Sequence, residues 1–357
     1  MSYKLEVNLP QKTYPLFIKK DVINYIGSEI RKIYNNKKIT VITDENVKNL
    51  YGKALIDNLK SNGYDANIIS VKPGEKSKSI EVLTYVYDRL LDNQMTRKDL
   101  IIAFGGGVVG DLAGFAAATF LRGVKYVQIP TTLIAQIDSS IGGKVAVNLE
   151  RGKNLVGSFY HPEAVYIDSS LLKTLPEKFL NDGMGEVIKY ACIKDKQLFT
   201  KLQEINIDSD LFSILDEIIY RCCIIKKEIV EIDEKESGDR MLLNFGHTMG
   251  HAVENIFNYE RYTHGEAVAI GMYIITKRSE ELGLTKKGTA DALKDLLVKF
   301  KLPFELPDNI NSNVLLEIMN LDKKSEKDHI NLVLLSEIGH SFIKKVPKED
   351  LRQYLFK

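Results

Sequence analysis

The pattern of apolar and polar residues changes character about half-way along the chain. In the first half, four short apolar runs rich in β-branched residues predict strands at 38–43, 100–104, 126–130 and 164–167. Each run is followed by a turn and then by a helix-compatible or irregular segment. This alternation is typical of a mostly parallel sheet with helices packed against it.

From about Leu175 onward, apolar residues recur at three- and four-residue spacing, which is the period of amphipathic helices. The segments with this period are GEVIKYACI, SILDEIIYRCCIIKKEIVEID, GHTMGHAVENIF and GEAVAIGMYIITKRSEELG. The change predicts a domain boundary within 170–176. Because 357 residues are enough for two cores, we expect an α/β N-terminal domain over 1–175 and an all-α C-terminal domain over 176–357.

The balance of charge excludes some classes of partner. The formal net charge is +1 and no long block carries one sign, so we expect neither a nucleic-acid surface nor a membrane surface built on bulk charge. Any anionic ligand must therefore be bound by local clusters of cations.

Cysteine usage and the N-terminus bear on the compartment. The three cysteines lack the spacing of a disulfide framework, which favours reduced thiols. The N-terminal residues lack the layout of a signal peptide, and no segment reaches the roughly 18 apolar residues of a membrane span. These features predict a cytoplasmic protein.

A glycine-rich turn follows the second predicted strand. Gly105, Gly107 and Gly110 satisfy G-x-G-x-x-G between an apolar strand and an Ala-rich helix. Glycines in this context let the backbone approach a pyrophosphate, and the helix N-terminus supplies free N–H groups to it. The turn predicts a Rossmann-like nucleotide site. The alternative is a tight turn that binds no ligand.

One feature departs from the usual dinucleotide fingerprint. About twenty residues after the glycines, where an acid would bind ribose, the sequence KYVQIP has no carboxylate. Other loops must then contact the nucleotide. The candidates are Asp44 after the first predicted strand, Glu75 and Lys78 in PGEKSK, and Thr131 and Thr132 after the third strand.

Three histidines of the second half suggest a metal centre. His247 and His251 are four residues apart and share one face of a predicted helix, and His264 precedes another helix. Imidazole nitrogens with one carboxylate form a three-ligand catalytic zinc set, which leaves room for substrate oxygens. The carboxylate is Glu254, Glu266 or Glu186, and spacing alone does not choose among them. The alternative is that these histidines are structural.

Cationic and amide side chains gather near the same segments. Several of them lie beside Gly-Gly turns or apolar runs, where a charge needs a partner. A dianionic substrate would supply one, whereas the alternative is a solvated surface. The residues in question are Lys144, Lys153, Asn154, Lys226, Arg240 and Asn244.

Seven strings, taken in order, resemble the 3-dehydroquinate synthases. These are sugar phosphate cyclases and lyases of the shikimate pathway, which leads to chorismate and the aromatic amino acids. The strings are PGEKSK, GGGVVGDLAGFAAATFLRGV, QIPTTLIAQIDSSIGGKVAVN, GKNLVGSFYHP, GEVIKYACI, LLNFGHTMGHAVE and THGEAVAIGM. The resemblance spans roughly residues 40–335. The first 35 residues and the tail after 340 carry no diagnostic motif.

The resemblance implies a ligand set and a cofactor. Glu186, His247 and His264 would bind Zn²⁺, with Co²⁺ as an alternative ion, and His251 would lie behind the ligands or contact substrate. Bound NAD+ would contact the glycine turn and the loops around it. The implied NAD+ contacts are Asp44, Glu75, Lys78, Gly105, Gly106, Gly107, Val108, Val109, Gly110, Asp111, Thr131, Thr132, Asp138, Lys144 and Lys153.

Substrate contacts and assembly follow from the same resemblance. In this family the residue matching Arg122 comes from the neighbouring subunit, so a homodimer is implied, with the active site in the interdomain cleft. The implied contacts to the small anionic sugar phosphate are Arg122, Lys144, Lys153, Asn154, Lys189, Lys226, Arg240, Asn244, His251 and one of Lys323 or Lys324.

The implied substrate is 3-deoxy-D-arabino-heptulosonate 7-phosphate, and the products are 3-dehydroquinate and phosphate. NAD+ would take up hydride and return it within one cycle, with phosphate elimination between the two transfers and ring opening and aldol closure after them. One rival is another sugar phosphate cyclase, such as a 2-deoxy-scyllo-inosose synthase, although Arg240 and Asn244 argue for a carboxylate. Further rivals are a metal-dependent polyol dehydrogenase, which releases NADH, and a metabolite-binding protein without activity.

Overall fold

The computed structural model describes residues 2–236, 238–307, 310, 312–320 and 328–356. It divides into two compact units, Met1–Leu175 and Pro176–Lys357. The division falls in the segment where the period of apolar residues changes. Each unit has its own secondary structure and core.

The first unit is built on a mixed sheet of seven strands in the order β1-β2-β9-β6-β5-β3-β4. Strands β1 and β2 pair antiparallel, and the other neighbours pair parallel. The mostly parallel, Rossmann-like sheet is therefore confirmed. Its strands are β1 (Ser2–Asn8), β2 (Thr13–Lys19), β3 (Lys38–Asp44), β4 (Asp65–Val71), β5 (Leu100–Gly105), β6 (Lys125–Pro130) and β9 (Val165–Ile167), and β7 (Lys144–Leu149) with β8 (Gly152–Phe159) forms a separate antiparallel hairpin.

Helices cover both faces of this sheet. Along β5, Leu100, Ile102 and Phe104 join one buried cluster while Ile101 and Ala103 join another. Since side chains alternate between the faces of a strand, β5 is apolar throughout because both faces are covered. The helices of this unit are α1 (Ile26–Arg31), α2 (Glu45–Val47), α3 (Lys53–Ser61), α4 (Ile80–Asp92) and α5 (Gly107–Thr119).

The second unit is mainly helical, and its central helix packs against three others. This helix, α10, is buried at most positions between Gly265 and Ser279. Among the described residues, no helix is long and apolar enough to cross a membrane. The helices are α6 (Glu177–Lys194), α7 (Lys196–Glu204), α8 (Ile207–Ile232), α9 (His247–Ile256), α10 (His264–Glu281), α11 (Thr289–Lys299) and α12 (Ser312–Asn320).

The prediction that the C-terminal domain is all-α is wrong. Strands β10 (His329–Glu337) and β11 (His340–Pro347) form an antiparallel hairpin in this unit. Its turn contains Gly339 at a φ of 87°, which glycine adopts without steric cost. The apolar run NLVLL in β10 carries neither a helical nor an alternating period, so the pattern did not distinguish a strand from a helix.

Candidate metal and nucleotide sites

Three helices of the second unit bring one carboxylate and two imidazoles together. Glu186 lies in the middle of α6, His247 is the first residue of α9, and His264 is the first residue of α10. The Nε2 atoms of both histidines lie 3.4 Å from Oε1 of Glu186. One ligand atom from each of the three residues lies within 4.8 Å of the others. This donor set, two nitrogens and one carboxylate oxygen, suits a divalent zinc-like ion.

Close contact between helix backbones sets the spacing of these donors. A Cβ atom at Gly185 of α6 would lie 2.7 Å from the carbonyl oxygen of Gly265 of α10, and a Cβ at Gly265 would lie 2.0 Å from that of Asp182. The Asp182 carboxylate also accepts the backbone N–H of Gly265 at 2.5 Å. Helices α6 and α10 therefore meet backbone to backbone, immediately beside Glu186 and His264.

A similar contact places His247. Gly246, which precedes α9, has a φ of 78°, and a Cβ at Gly271 of α10 would lie 2.1 Å from its carbonyl oxygen. A residue with a side chain at either position would push the start of α9 away from α10. The first turn of α9, with its histidine, is thus fixed against the helix that carries His264.

The two carboxylate oxygens of Glu186 have different charged or ionisable partners. Oε1 faces the imidazoles, while Oε2 pairs with Nζ of Lys189, one turn further along α6. Burial, the largest effect, holds the pKa of His247 well below its usual value. Burial also opposes charge on His264, but hydrogen bonds to Glu186 and Glu254 outweigh it and raise the pKa to about 10. The two carboxylates thus favour a positive charge between them.

The other nitrogen of each ring also has an acceptor. Nδ1 of His247 lies 3.1 Å from the carbonyl oxygen of Phe245, and Nδ1 of His264 lies 3.4 Å from Oε2 of Glu254. His251, one turn after His247, places its ring 5.5 Å from the ring of His247 and 6.0 Å from that of His264.

The three carboxylates left open by sequence occupy different positions. Glu186 groups with His247 and His264, and Glu254 groups with His251 and His264. Glu266 instead accepts the backbone N–H of Thr263 at 2.7 Å in a capping box at the start of α10. Its carboxylate therefore caps the N-terminus of α10, as in other capping boxes.

Two of the remaining substrate candidates of this unit are buried cations. Lys226 of α8 is 6% exposed and Arg240 is 2% exposed. The guanidinium of Arg240 donates to the carbonyl oxygen of Glu234, and Nδ2 of Asn244 donates to Glu236 at 3.0 Å. Buried cations of this kind need partners, which argues against a solvated surface for Lys226 and Arg240. Lys323 and Lys324 lie outside the described residues.

In the first unit, the glycine turn joins β5 to α5 as the sequence predicts. The strand ends at Gly105 and the helix begins at Gly107. A Cβ at Gly105 would lie 2.6 Å from Cβ of Val109, so only glycine fits there. The N–H of Thr131 donates to the carbonyl oxygen of Gly105 at 3.0 Å. Gly105, Gly106, Gly107 and Gly110 thus leave backbone without side chains beside the N-terminus of α5, which suits a pyrophosphate.

Strand order brings the other nucleotide candidates to the same sheet edge. Strands β3, β5 and β6 are parallel neighbours, so Asp44, Gly105 and Thr131 mark adjacent carboxyl ends. Ligands of open α/β sheets bind at this edge. Asp44 also caps α2, since its carboxylate accepts the N–H of Val47 at 3.0 Å. Thr132 accepts the N–H of Ala135 at 3.3 Å.

Lys78 and Asp111 form an ion pair beside the turn. Burial raises the pKa of Asp111 to about 6, and the charge of Lys78 opposes that effect. Asp138, which also raises this pKa, lies on the segment after β6. The negative charges of Asp111 and Asp138 are therefore near each other, and Lys78 pairs with Asp111.

Comparison with known proteins identifies the family. The sequence model of the 3-dehydroquinate synthase N-terminal domain matches residues 68–182, and that of the C-terminal domain matches residues 183–325. The 3-dehydroquinate synthase of Clostridium acetobutylicum is 56% identical over 351 residues, which cover 98% of each chain. The chain belongs to the 3-dehydroquinate synthase family.

Solved structures of related cyclases share the fold of this family member. A 2-epi-5-epi-valiolone synthase from Streptomyces hygroscopicus with NAD+ and Zn²⁺ bound is 25% identical, with a TM-score of 0.88 over 98% of this chain and 97% of that one. A 2-deoxy-scyllo-inosose synthase complexed with carbaglucose-6-phosphate, NAD+ and Co²⁺ is 26% identical, with a TM-score of 0.85 over 98% of this chain and 100% of that one.

Sequence reasoning missed Asn148, which links two segments that carry predicted NAD+ contacts. Its Nδ2 donates to Glu75 at 2.7 Å, its Oδ1 accepts the N–H of Asn154 at 2.9 Å, and its N–H donates to the carbonyl oxygen of Lys78 at 2.8 Å. Asn154 has a φ of 56°, which asparagine tolerates. A polar residue near the end of the apolar run VAV was the available signal.

The β7–β8 hairpin carries the other cationic candidates of the first unit. Lys144 begins β7 and Lys153 lies near the start of β8. Arg122 is exposed at the end of a short turn after α5, with a φ of 66°.

Sequence reasoning also missed Asp182, although a carboxylate four residues before Glu186 shares its helix face.

Proposed function

We propose that this chain catalyses the 3-dehydroquinate synthase reaction, which converts 3-deoxy-D-arabino-heptulosonate 7-phosphate to 3-dehydroquinate and phosphate. The observation that carries the proposal is the 56% identity to the Clostridium acetobutylicum enzyme over 98% of both chains. The lower identity to the 2-deoxy-scyllo-inosose synthase, 26% over a similar share, favours this substrate over that of the rival cyclase.

We infer that Glu186, His247 and His264 hold a divalent metal, Zn²⁺ or Co²⁺, because their donor atoms converge within 4.8 Å. The relatives with bound NAD+ and metal support the inference. When bound, NAD+ supplies a hydride acceptor that becomes a donor, and the metal supplies a Lewis acid. The glycine turn and its neighbours at the sheet edge would hold the nucleotide; these are Asp44, Glu75, Lys78, residues 105–111, Thr131, Thr132, Asp138, Lys144 and Lys153.

Cations of this chain would orient the substrate by its two anionic ends. Arg240 suits a carboxylate because a planar guanidinium donates two parallel hydrogen bonds. Lys189, already paired with Glu186, would stand beside the reacting oxygens. The other proposed contacts are Arg122 from a second subunit of a homodimer, Lys144, Lys153, Asn154, Lys226, Asn244 and His251. An active site in the cleft between the two domains and a cytoplasmic location stay predictions.

Phosphate release with a trace of NAD+ tests the function directly. Because the nicotinamide is restored within each cycle, we expect many phosphates per NAD+ present and no accumulation of NADH. The assay compares phosphate by a colorimetric method with NADH absorbance on the same sample. NADH that builds up with substrate consumed would instead indicate a polyol dehydrogenase.

A matched substrate separates the closest rival. Glucose 6-phosphate carries the phosphate but no carboxylate, so it should be turned over about ten- to a hundredfold more slowly, given that one charge-assisted contact contributes about 1.5–3 kcal/mol. Faster turnover of glucose 6-phosphate than of the heptulosonate phosphate would assign the chain to the other cyclase activity.

A further inference from the structure

We propose that Glu254 is a positioning residue of the metal centre, whose carboxylate accepts a hydrogen bond from Nδ1 of His264 and so directs Nε2 of that ring toward the metal. The inference rests on the proposed ligands Glu186, His247 and His264. It concerns a residue that sequence left as one of three candidate ligands and gives it a different role.

The first step is the tautomer of the two ligand rings. Nε2 of His247 and Nε2 of His264 both lie 3.4 Å from the same oxygen of Glu186. On the opposite edge of each ring, Nδ1 faces an oxygen acceptor. A neutral imidazole whose Nδ1 donates a hydrogen bond carries its lone pair on Nε2. Both rings are therefore arranged to offer Nε2 at one point.

The second step is the difference between the two acceptors. The acceptor for His247 is the backbone carbonyl of Phe245, only two residues away, and it is uncharged. The acceptor for His264 is the carboxylate of Glu254, ten residues away and only 7% exposed. A carboxylate on the far nitrogen of a ligand histidine fixes the ring and makes Nε2 a stronger donor. Glu254 thus places a negative charge beside the His264 ring, whereas the acceptor beside the His247 ring is neutral.

The third step concerns the single face of α9 that carries both His247 and Glu254. His247 and Glu254 are seven residues apart, which is about two helical turns, so they share one face of α9. That face packs on α10 because Gly250 leaves room for Ala267, whose carbonyl oxygen would lie 3.1 Å from a Cβ at Gly250. The same helix face therefore supplies one ligand and the group that orients another.

A rival role uses the same residues differently. His251, Glu254 and His264 also have one donor atom each within 4.8 Å of one another, so Glu254 would be a ligand if a second ion bound there. The two groups share His264. Metal stoichiometry and the spectrum of a cobalt-loaded protein separate the two roles. Loss of a ligand removes an ion or changes the coordination number, and with it the intensity of the Co²⁺ d–d bands, whereas loss of a hydrogen bond to a ligand shifts these bands only slightly.

The test compares Glu254→Gln with wild type in the full chain. We expect Zn²⁺ affinity, measured by competition with a chromophoric chelator, to fall about 10- to 100-fold. The stoichiometry should stay at one ion per chain, and the d–d bands of the Co²⁺ form should keep the wild-type intensity and shift only slightly in position. The matched control is Glu266→Gln, which removes the same charge from the start of α10 but touches the backbone of Thr263. Its affinity should stay within about twofold of wild type.

Unchanged affinity in Glu254→Gln would overturn the proposal, as would an equal loss in the control, because the effect would then be one of general charge. A second ion bound by wild type and lost in the variant would also overturn it. If wild-type protein bound no metal, both the proposed ligand set and this inference would be wrong. Unaltered metal binding in His264→Ala would show that the proposed ligand set itself is wrong. If the metal-free Glu254→Gln protein unfolds at the assay temperature, Glu254→Asp, which keeps the charge on a shorter side chain, replaces it. The Zn²⁺ affinity of Glu254→Asp should be lower than that of wild type, by less than about a hundredfold.

Discussion

At the scale of single residues, histidines on one helix face can have unequal roles. His247 and His251 share a face of α9, yet only His247 groups with Glu186 and His264. His251 groups instead with Glu254, beside the first cluster. Position on the helix therefore does not decide which imidazole is a ligand, and the partner helices do.

This difference gives a prediction for two alanine variants. His264→Ala should lose nearly all bound zinc and nearly all activity, because it removes one of three proposed donors. His251→Ala should keep most of its zinc while kcat falls by at least about tenfold, the loss expected for one hydrogen bond to a charged group. Metal content by mass spectrometry and steady-state kinetics on the same preparations provide the comparison. Zinc lost equally from both variants would contradict the assignment.

The choice among Glu186, Glu254 and Glu266 shows what residue spacing leaves open. Glu186 is 61 residues before His247 in the chain, and the two meet only because α6 and α9 both pack against α10. No periodicity within one helix encodes that crossing. The capping box of Glu266, by contrast, is a local pattern, T-x-x-E before an apolar run, and it was readable from the sequence.

At the scale of elements, the amphipathic helices and four buried strands were predictable, whereas the other strands were not. The strands β3, β5, β6 and β9 and the helices α6, α8, α9 and α10 lie where the pattern placed them. Strands β1, β2 and β4 and the hairpins β7–β8 and β10–β11 were not predicted. Their stability comes from pairing with a neighbouring strand, which a single-strand pattern does not record.

The glycine contact between α6 and α10 gives the prediction for this scale. Gly265→Ala would put a methyl group 2.0 Å from the carbonyl oxygen of Asp182, so the helices must separate. We expect a loss of about 1–3 kcal/mol in stability from overpacking and a clear drop in zinc affinity. Chemical denaturation and chelator competition measure the two effects.

The matched control is Gly110→Ala in α5 of the first unit, where the nearest atom to a new Cβ is 3.6 Å away. This change should leave zinc affinity unchanged and stability equal or slightly higher, since alanine favours helices over glycine by about 0.5–1 kcal/mol. Equal zinc affinity in Gly265→Ala and wild type would show that the contact does not set the ligand spacing.

At the scale of the whole molecule, the two proposed cofactor sites belong to different compact units. The metal donors all lie in Pro176–Lys357, and the glycine turn lies in Met1–Leu175. A ligand that binds only the folded state stabilises the structure around its site, by about 2.7 kcal/mol at a hundredfold excess over Kd. The two ligands should therefore protect different parts of the chain.

Hydrogen–deuterium exchange of the metal-free protein checks this expectation. Zinc should slow exchange most in α6, α9 and α10, because it links the three helices that supply its ligands. NAD+ should slow exchange most in the loop around Lys78 and in the first turn of α5. The largest zinc effect in the first unit, or the largest NAD+ effect in the second, would be inconsistent with the proposed sites.

The backbone contact at Gly185 and Gly265 bears on how tolerance to mutation should be interpreted in this protein. Neither glycine has a side chain that could bind anything, yet both should be as intolerant of substitution in an activity-based mutational scan as the ligands beside them. A scan scored by turnover would therefore give one block of intolerant positions around α6 and α10. Scoring the same library for abundance as well would separate the ligand positions from the glycine positions. A lost ligand leaves the stability of the metal-free chain nearly unchanged, whereas a methyl group between the helices lowers it by about 1–3 kcal/mol. A position can therefore be intolerant of substitution either because its side chain takes part in the chemistry or because it must leave space for a neighbouring backbone.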